Sequence, residues 1–342
     1  MIMTEEIGSI SDALDAAKKA QKDWSNVSEG YLGVPYNSPF GIWYRGLSSD
    51  KFELEPSVFR RRTDADGYER HYNEVSLFHH FQLRSPLYRR DHFSTFEWLS
   101  LMQHHDAPTR LLDWSESVLV ALYFATRMQE NAVEGDGELV VLNARKLNEE
   151  SDVGNVLEPP KHGRRYSSIH VPHSFNVVIR ALLASHSWLP DLLNTLVLRE
   201  CDETDTPRKE VFEKVRSYIQ RDPHLENRPG EEIRPFLEQL RKPVAVFPFR
   251  TNPRLLTQQG TFTIHGGRVV NLTGGATDGF LPLGMGKDEA HLRVYKIPRD
   301  AKQDIREELA AGGIHEGSLF PELDHQAHYM RDLWLTPKVR LS

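Results

Sequence analysis

The sequence has almost no cysteine: Cys201 is the single one among 342 residues. One thiol cannot form an intramolecular disulfide, and nothing else indicates an oxidising compartment. The first residues lack the basic start and apolar run of a signal peptide, and no segment approaches the ~20 consecutive apolar residues that a membrane-spanning helix needs. We therefore expect a cytoplasmic protein with no membrane segment.

Motifs of several large enzyme classes are also missing. The sequence contains no GxxxxGK[ST] phosphate loop, no G-x-G-x-x-G turn after a strand and no GxSxG nucleophile turn. It has neither HExxH nor CxxC spacing, so we expect no metal site of the familiar zinc kinds. The net charge, 42 − 49 = −7, argues against a generic nucleic-acid coat. Two basic clusters, Arg60–Arg62 and Arg84 to His92, are nevertheless present and could contact a phosphate-bearing partner.

The segment over residues 103–126, QHHDAPTRLLDWSESVLVALYFAT, joins polar residues that can bind or react to an almost unbroken apolar run. Pro108 ends what precedes it, and a strand over residues 109–113 is predicted to follow. Asp113 and Glu116 have the spacing of a capping box that begins a helix. Apolar residues fill most of the circumference of that helix, so we expect it to be buried on nearly all sides.

The buried strand and helix place Thr109, Arg110 and Asp113 in the middle of the molecule. A desolvated guanidinium costs several kcal/mol unless an anionic group meets it. One interpretation is a core ion pair between Arg110 and Asp113 or another carboxylate. The other is an anion-binding site formed by Arg110 together with Gln103, His104 and Thr109. The composition does not separate the two.

A second candidate lies at the end of an earlier strand, in GIWYRGLSS. Residues alternate there with the period of a strand, and Gly46 allows a close backbone approach or a turn. Arg45 projects beside aromatic rings, which is a good place to hold an anion. The alternative is a salt bridge to Asp50, Glu53 or Glu55.

A third candidate precedes a later strand, in NPRLLTQQGTFTIHG. Arg254 and Gln258 lie four residues apart, which places them on one face of a helical turn. The Gln258-Gln259-Gly260 step then puts side-chain amides where a hydroxyl or carbonyl of a ligand could reach them. The alternative is ordinary turn chemistry.

These periodicities predict an α+β fold with a mixed central sheet, a buried helix after the TRLLD strand and a helical insertion. Residues 1–39 are expected to form an N-terminal helical arm. Residues 40–143 and 244–330 are expected to form the α+β domain, and residues 144–243 the helical insertion.

Four segments together resemble the FRG domain, a bacterial family named for an aromatic–Arg–Gly motif. They are WYRG at 43–46, the segment at 103–126, NPRLLTQQGTFTIHG at 252–266 and GGIHEGSLFPELD at 312–324. The resemblance spans about residues 40–330, and the aromatic residue of the motif is Tyr44 in place of Phe. Membership of this family implies a phage-defence or toxin-like setting.

The order of the motifs is also similar to that of ADP-ribosyltransferases, which place an Arg or His before a small residue on the first strand, a Ser or Thr on a strand before a helix, and a Glu or Gln on a later strand. By this resemblance NAD is the substrate. Arg45 would bind its diphosphate or ribose, Thr109 would orient the nicotinamide ribose, and the later polar residue, Gln258 or Gln259, would act near the anomeric carbon. A carboxylate does the last task better than an amide, so Asp113 or another acid could take over from Gln258.

The catalytic residues expected on this basis are Arg45, Thr109, Asp113 and Gln258. The nucleotide-binding residues expected are Arg45, Gly46, Gln103, His104, Arg110 and Arg254. The first hypothesis is an NAD-using ADP-ribosyltransferase-like enzyme whose acceptor is a nucleic acid or a protein. A non-catalytic nucleotide- or phosphate-binding module is the second. The third is a metal-independent nuclease with His104 and His105 as acid and base.

Overall fold

The computed structural model describes residues 5–25, 41–60, 62–70, 72–85, 95–127, 135–150, 242–248, 250, 252–266 and 290–334. Its strands are β1 Ile42–Leu47, β2 Arg62–Thr63, β3 Glu69–Arg70, β4 Leu111–Ser115, β5 Gly137–Asn143, β6 Val244–Val246, β7 Gly260–Ile264 and β8 Leu292–Ile297. Its helices are α1 Ile10–Ser25, α2 Glu74–Arg84, α3 Thr95–His104, α4 Val118–Thr126, α5 Ala144–Glu150, α6 Pro253–Thr257, α7 Lys302–Ala311, α8 Glu316–Leu319 and α9 Leu323–Leu333.

Six strands form one sheet in the order β6-β7-β4-β1-β5-β8, and β2 and β3 form a separate hairpin. All five pairings between the strands of the large sheet are antiparallel. A parallel bridge between Glu6 and Lys296 adds to the β8 edge, so the mixed character of the sheet is limited to this contact in the described residues. The predicted α+β class is confirmed.

Helix α4 lies against β1 and β5 and is buried along most of its length, as predicted. Glycine makes this close approach possible. A Cβ on Gly46 would lie 1.9 Å from the carbonyl oxygen of Ala121 and 2.4 Å from the backbone nitrogen of Ala125. The backbones of strand and helix are therefore in direct contact, because no side chain separates them at Gly46.

The prediction that Asp113 caps helix α4 is wrong. Strand β4 continues to Ser115 because Trp114 and Ser115 pair with Thr261 and Gly260 of β7. Ser117 caps the helix, and its side chain accepts a hydrogen bond from the Val120 N–H. Asp113 is consequently a mid-strand residue whose carboxylate is available for other contacts.

The remaining layers complete the core. Helices α1 and α7 pack beside α4, so the helix predicted as an N-terminal arm joins the central core through Ala13, Ala20 and Trp24. Helix α3 covers β4, β7 and β6 through Phe96, Leu99 and Met102, among other residues. The opposite face of the sheet is covered in part by Leu147 of α5.

The domain boundaries stay predictions. Helix α5 and residues 242–243 belong to the region that the sequence assigns to a helical insertion, and residues 151–241 lie outside the described residues. No helix in the described ranges has both the length and the apolar composition that crossing a membrane requires.

Candidate functional site

The two central strands of the sheet separate after one pairing. Strands β1 and β5 pair over six positions, whereas β1 and β4 pair only at Tyr44 and Ser115 within the described strands. Two residues further along each strand, this register would place Gly46 opposite Asp113, but no such pairing forms. We call the resulting opening, with the side chains of Arg45, Gln103 and Asp113 around it, the recess.

Arg45 lies between the two strands. Its Nη1 donates a hydrogen bond to the carbonyl oxygen of Asp113 and lies 4.0 Å from Asp113 Oδ2. The side chain is 16% exposed, and its Nε has no hydrogen-bond partner in the described part of the chain. Burial lowers the pKa of Arg45 to about 10, with Asp113 opposing this effect and Arg60 adding to it. The guanidinium is thus desolvated and keeps a donor without an acceptor.

Asp113 is the acidic partner in the recess. Its side chain is 54% exposed, although burial is the main cause that raises its pKa. The carboxyl group is thus reached by solvent on one side and surrounded by protein atoms on the other. Arg45 and the hydrogen bond from Gln103 lower the pKa and so oppose the effect of burial. The local environment therefore brings the carboxyl group closer to the range in which it can exchange a proton.

Gln103 and Thr109 extend this arrangement away from solvent. Gln103 Nε2 donates to Asp113 Oδ2 at 2.7 Å, and the Thr109 hydroxyl donates to Gln103 Oε1. Thr109 is 0% exposed and its main chain is held by Ser57. The expected role of Thr109, direct contact with a nicotinamide ribose, therefore does not fit its position, because the hydroxyl is enclosed and already used.

A second cluster lies at the same end of α3. Arg254 Nε donates to Glu322 Oε1 at 2.8 Å, and its Nη1 donates to the carbonyl oxygen of His104 at 3.3 Å. His104 Nε2 lies 3.8 Å from Glu322 Oε1. Burial and then Arg254 lower the pKa of His104 from its ordinary value, which favours the neutral ring. Because His104 follows Gln103 directly, the cluster adjoins the recess.

Arg110 does not belong to the recess. Its Nε and Nη2 donate to the carboxylate of Glu74, and its Nη1 donates to the carbonyl oxygen of His265 at 2.7 Å. The side chain is 0% exposed and lies over the ring of Phe59. The structure thus favours the core ion pair over the anion site for Arg110, with Glu74 as the acid in place of Asp113.

Two other expected site residues also have structural roles. Gly46 faces the backbone of α4, so its part in the aromatic–Arg–Gly motif is to admit the helix and not to contact a nucleotide. Gln258 Nε2 donates to the carbonyl oxygen of Leu319 at 3.2 Å, and the Gln258 carbonyl accepts from Ser115 Oγ at 2.7 Å. These contacts tie α6 to α8 and β4, and Gln258 makes no hydrogen bond to Asp113.

The structure adds residues that the sequence did not single out. Ser57 holds Thr109, and Glu322 pairs with Arg254. Arg60 was recognised only as part of a basic run, yet it acts electrostatically on both Arg45 and Asp113. No sequence spacing marks these partners, although Glu322 does lie in the last of the four motifs. No group of three or more potential metal ligands occurs among the described residues.

The comparisons with known proteins identify one family. Residues 41–134 match the sequence model of the FRG domain. The matched range includes the aromatic–Arg–Gly motif and the segment at 103–126, and with them Arg45, Gln103, Thr109 and Asp113. Searches of curated proteins and of solved structures give no match to this chain. The strands that form the recess and the network around Asp113 thus lie within the part of the chain that matches the FRG domain model.

Proposed function

We propose that the recess binds NAD and that the protein transfers ADP-ribose from it to an acceptor. One observation carries this proposal: Arg45 and Asp113 meet where the central strands separate, a cation with an unsatisfied N–H beside a half-exposed carboxylate. NAD offers a chemical counterpart to each, because its diphosphate is anionic and its glycosidic bond joins ribose to a cationic leaving group.

Arg45 suits the diphosphate. Its Nη1 is anchored to the Asp113 main chain, which fixes the guanidinium, and 16% of the side chain is exposed to a ligand. Charge-assisted hydrogen bonds from guanidinium to phosphate are strong and directional, more so in a site that is partly shielded from water. A bound phosphate oxygen would also compensate the burial that lowers the pKa of Arg45.

Asp113 suits the ribosyl centre. When the C1′–N bond breaks, the electron pair leaves with nicotinamide, and C1′ becomes oxocarbenium-like. A fixed carboxylate stabilises that positive charge, and the acceptor then forms a bond to C1′ as it loses a proton. The Gln258 amide donates to the carbonyl oxygen of Leu319 and not to Asp113, so the carboxylate takes the role that the motif order assigns to Gln258.

A nucleic acid is the acceptor that the surface favours. Arg62 lies over the ring of Tyr72 at 5.0 Å from its centroid, and Tyr72 lines a depression of about 450 Å³ together with His80 and Arg84. Arg62 from the first basic run and Arg84 from the second therefore lie near the same aromatic ring. This combination binds single strands through phosphate contacts and base stacking. Arg60 precedes Arg62 by two residues and acts electrostatically on Asp113. It therefore connects this surface with the recess.

Release of nicotinamide from NAD tests the proposal, with single-stranded RNA, single-stranded DNA and a protein mixture as acceptors. Asp113→Asn should lower turnover by about 100-fold or more while ADP-ribose still binds. Arg45→Lys should weaken ADP-ribose binding. Arg293→Lys is the matched control, since Arg293 also pairs with an aspartate, Asp23, but lies on the edge strand β8. Absence of both turnover and ADP-ribose binding would refute the proposal.

A non-catalytic nucleotide-binding module is the second candidate. The Gln258 amide donates to the carbonyl oxygen of Leu319. The later motif then supplies no group at the anomeric carbon of NAD, and this favours binding without catalysis. Calorimetric binding of NAD that Arg45→Lys weakens, without nicotinamide release in any acceptor mixture, would select this function.

A further inference from the structure

The hydrogen bonds behind Asp113 form a series that starts from the protein main chain. The Leu111 N–H donates to Thr109 Oγ1 at 3.1 Å, the Thr109 hydroxyl donates to Gln103 Oε1, and Gln103 Nε2 donates to Asp113 Oδ2 at 2.7 Å. We infer that Thr109 is a positioning residue, which sets the orientation of the Gln103 amide and through it the orientation and ionisation of Asp113.

The direction of the series follows from what each group can donate. If the Gln103 amide were rotated by 180°, its oxygen would face Asp113 Oδ2, and two acceptors would meet. The rotation would also leave the Thr109 hydroxyl proton without its acceptor in a position that is 0% exposed. An unsatisfied buried donor costs about 1–3 kcal/mol. The Thr109 hydroxyl therefore favours the rotamer in which Gln103 donates to Asp113.

Thr109 is itself held in place. Its N–H donates to Ser57 Oγ at 3.1 Å, and the Val58 N–H donates to its carbonyl oxygen at 3.1 Å. The hydroxyl thus starts from a backbone that two neighbouring residues fix. Rigid support of this kind is what keeps a functional carboxylate within the narrow range of geometry that its reaction requires.

The two carboxylate oxygens of Asp113 therefore have different roles. Oδ2 receives the Gln103 donor, so Oδ1 is the oxygen that can face a ligand in the recess. The charged groups that act on this carboxyl group are Arg45 on β1 and Arg60 in the following loop. Gln103 adds a neutral donor that favours the ionised form, and Thr109 keeps that donor in place.

Two substitutions of Thr109 separate the hydroxyl from the volume of the side chain. Thr109→Val keeps the shape and removes the hydroxyl, whereas Thr109→Ser keeps the hydroxyl. The readout is the pKa of Asp113 from the ¹³C carboxyl shift across a pH titration, with Asp113→Asn to assign the signal. We expect the pKa of Asp113 to rise in Thr109→Val and to stay near the wild-type value in Thr109→Ser. An unchanged pKa in a folded Thr109→Val protein would overturn the inference.

Gln103→Met provides a second route if Thr109→Val does not fold, because it removes the donor and preserves the length of the side chain. It should raise the pKa of Asp113 as well, and an unchanged value would equally overturn the inference. The effect on turnover rests on the proposed function: nicotinamide release at neutral pH should fall about tenfold in Thr109→Val and recover in Thr109→Ser. The NMR titration needs no NAD, so failure of the inference and failure of the proposed function are distinguishable.

Discussion

Arg45 Nη1 donates to the carbonyl oxygen of Asp113, in the part of the sheet where β1 and β4 no longer pair. An arginine side chain thus meets a main-chain acceptor that a continuous ladder would have given to the neighbouring strand. The contact explains why a charged residue lies within the central strand of a sheet. It also gives one residue two tasks, because the same guanidinium closes the sheet and faces the recess.

Replacement of Arg45 by methionine should abolish ligand binding at little cost to the fold. Burial lowers the pKa of Arg45 to about 10, so the folded protein bears a cost for the charged form at every pH below that value. A methionine removes this cost but also removes the hydrogen bond to the Asp113 carbonyl oxygen, so the free energy of unfolding from urea titration should change by about 1 kcal/mol or less. Arg293→Met, at a partly exposed pair on the edge strand, should also change it by less than about 1 kcal/mol and should leave ligand binding intact. A loss of more than about 2 kcal/mol in Arg45→Met would mean that Arg45 is mainly structural.

Loss of Arg110 should affect stability and not binding. Arg110→Met leaves the carboxylate of Glu74 buried without its partner, which should cost about 3–5 kcal/mol in urea unfolding. Arg110→Met combined with Glu74→Leu should recover most of that loss. The double variant should also bind ADP-ribose as the wild type does. Weaker binding by a stable double variant would restore Arg110 as an anion-binding residue.

Gly46→Ala should disrupt the contact between β1 and α4. The added methyl group would overlap the backbone of Ala121 and Ala125, which cannot move as a flexible side chain can. We expect a loss of roughly 3 kcal/mol or more, seen as a lower melting temperature. Gly41→Ala is the control, because its Cβ would meet Arg145 at an ordinary 3.5 Å. Equal melting temperatures for the two variants would contradict this packing.

His104 should make the protein less stable in mild acid. Burial lowers its pKa below 6.5 in the folded state, so below that pH the unfolded chain binds more protons. The stability contributed by the neutral ring is full above pH 6.5 and decreases as the pH falls toward the folded pKa. In urea unfolding at pH 7 and pH 5, His104→Gln should therefore lose less stability than the wild type between the two values. The same loss in both proteins would show that other groups cause it.

The sequence predicted the elements of the sheet well because most of its strands have alternating residues and end at glycine, proline or polar clusters. It misplaced the start of α4 because a local capping signal at Asp113 competed with pairing to β7, which is about 150 residues away along the chain in the ladder that joins Trp114 to Thr261. Tertiary pairing decided the outcome, and local spacing contains no information about it.

The contacts of the candidate site were predicted in part, for a similar reason. Residue chemistry and motif order indicated Arg45, Gln103, Thr109 and Asp113, and the structure brings these four into one network. Arg110 carries the same charge and lies beside Thr109, yet it faces Glu74. Sequence alone does not say which acid meets which base, because that choice depends on how α2 packs against the sheet.

Strands β1 and β4 pair only at Tyr44 and Ser115 among the described strand residues. The sheet therefore consists of two three-stranded halves, β6-β7-β4 and β1-β5-β8, that this one bridge joins. Besides that bridge, the Arg45 side chain ties one half to the other. A phosphate that drew the guanidinium toward itself would loosen this tie, so occupancy of the recess and the spacing of the halves would be thermodynamically coupled. The exchange rates of backbone amide hydrogens in β1 and β4 would then change when ADP-ribose binds, so hydrogen exchange with and without ADP-ribose would detect the bound ligand.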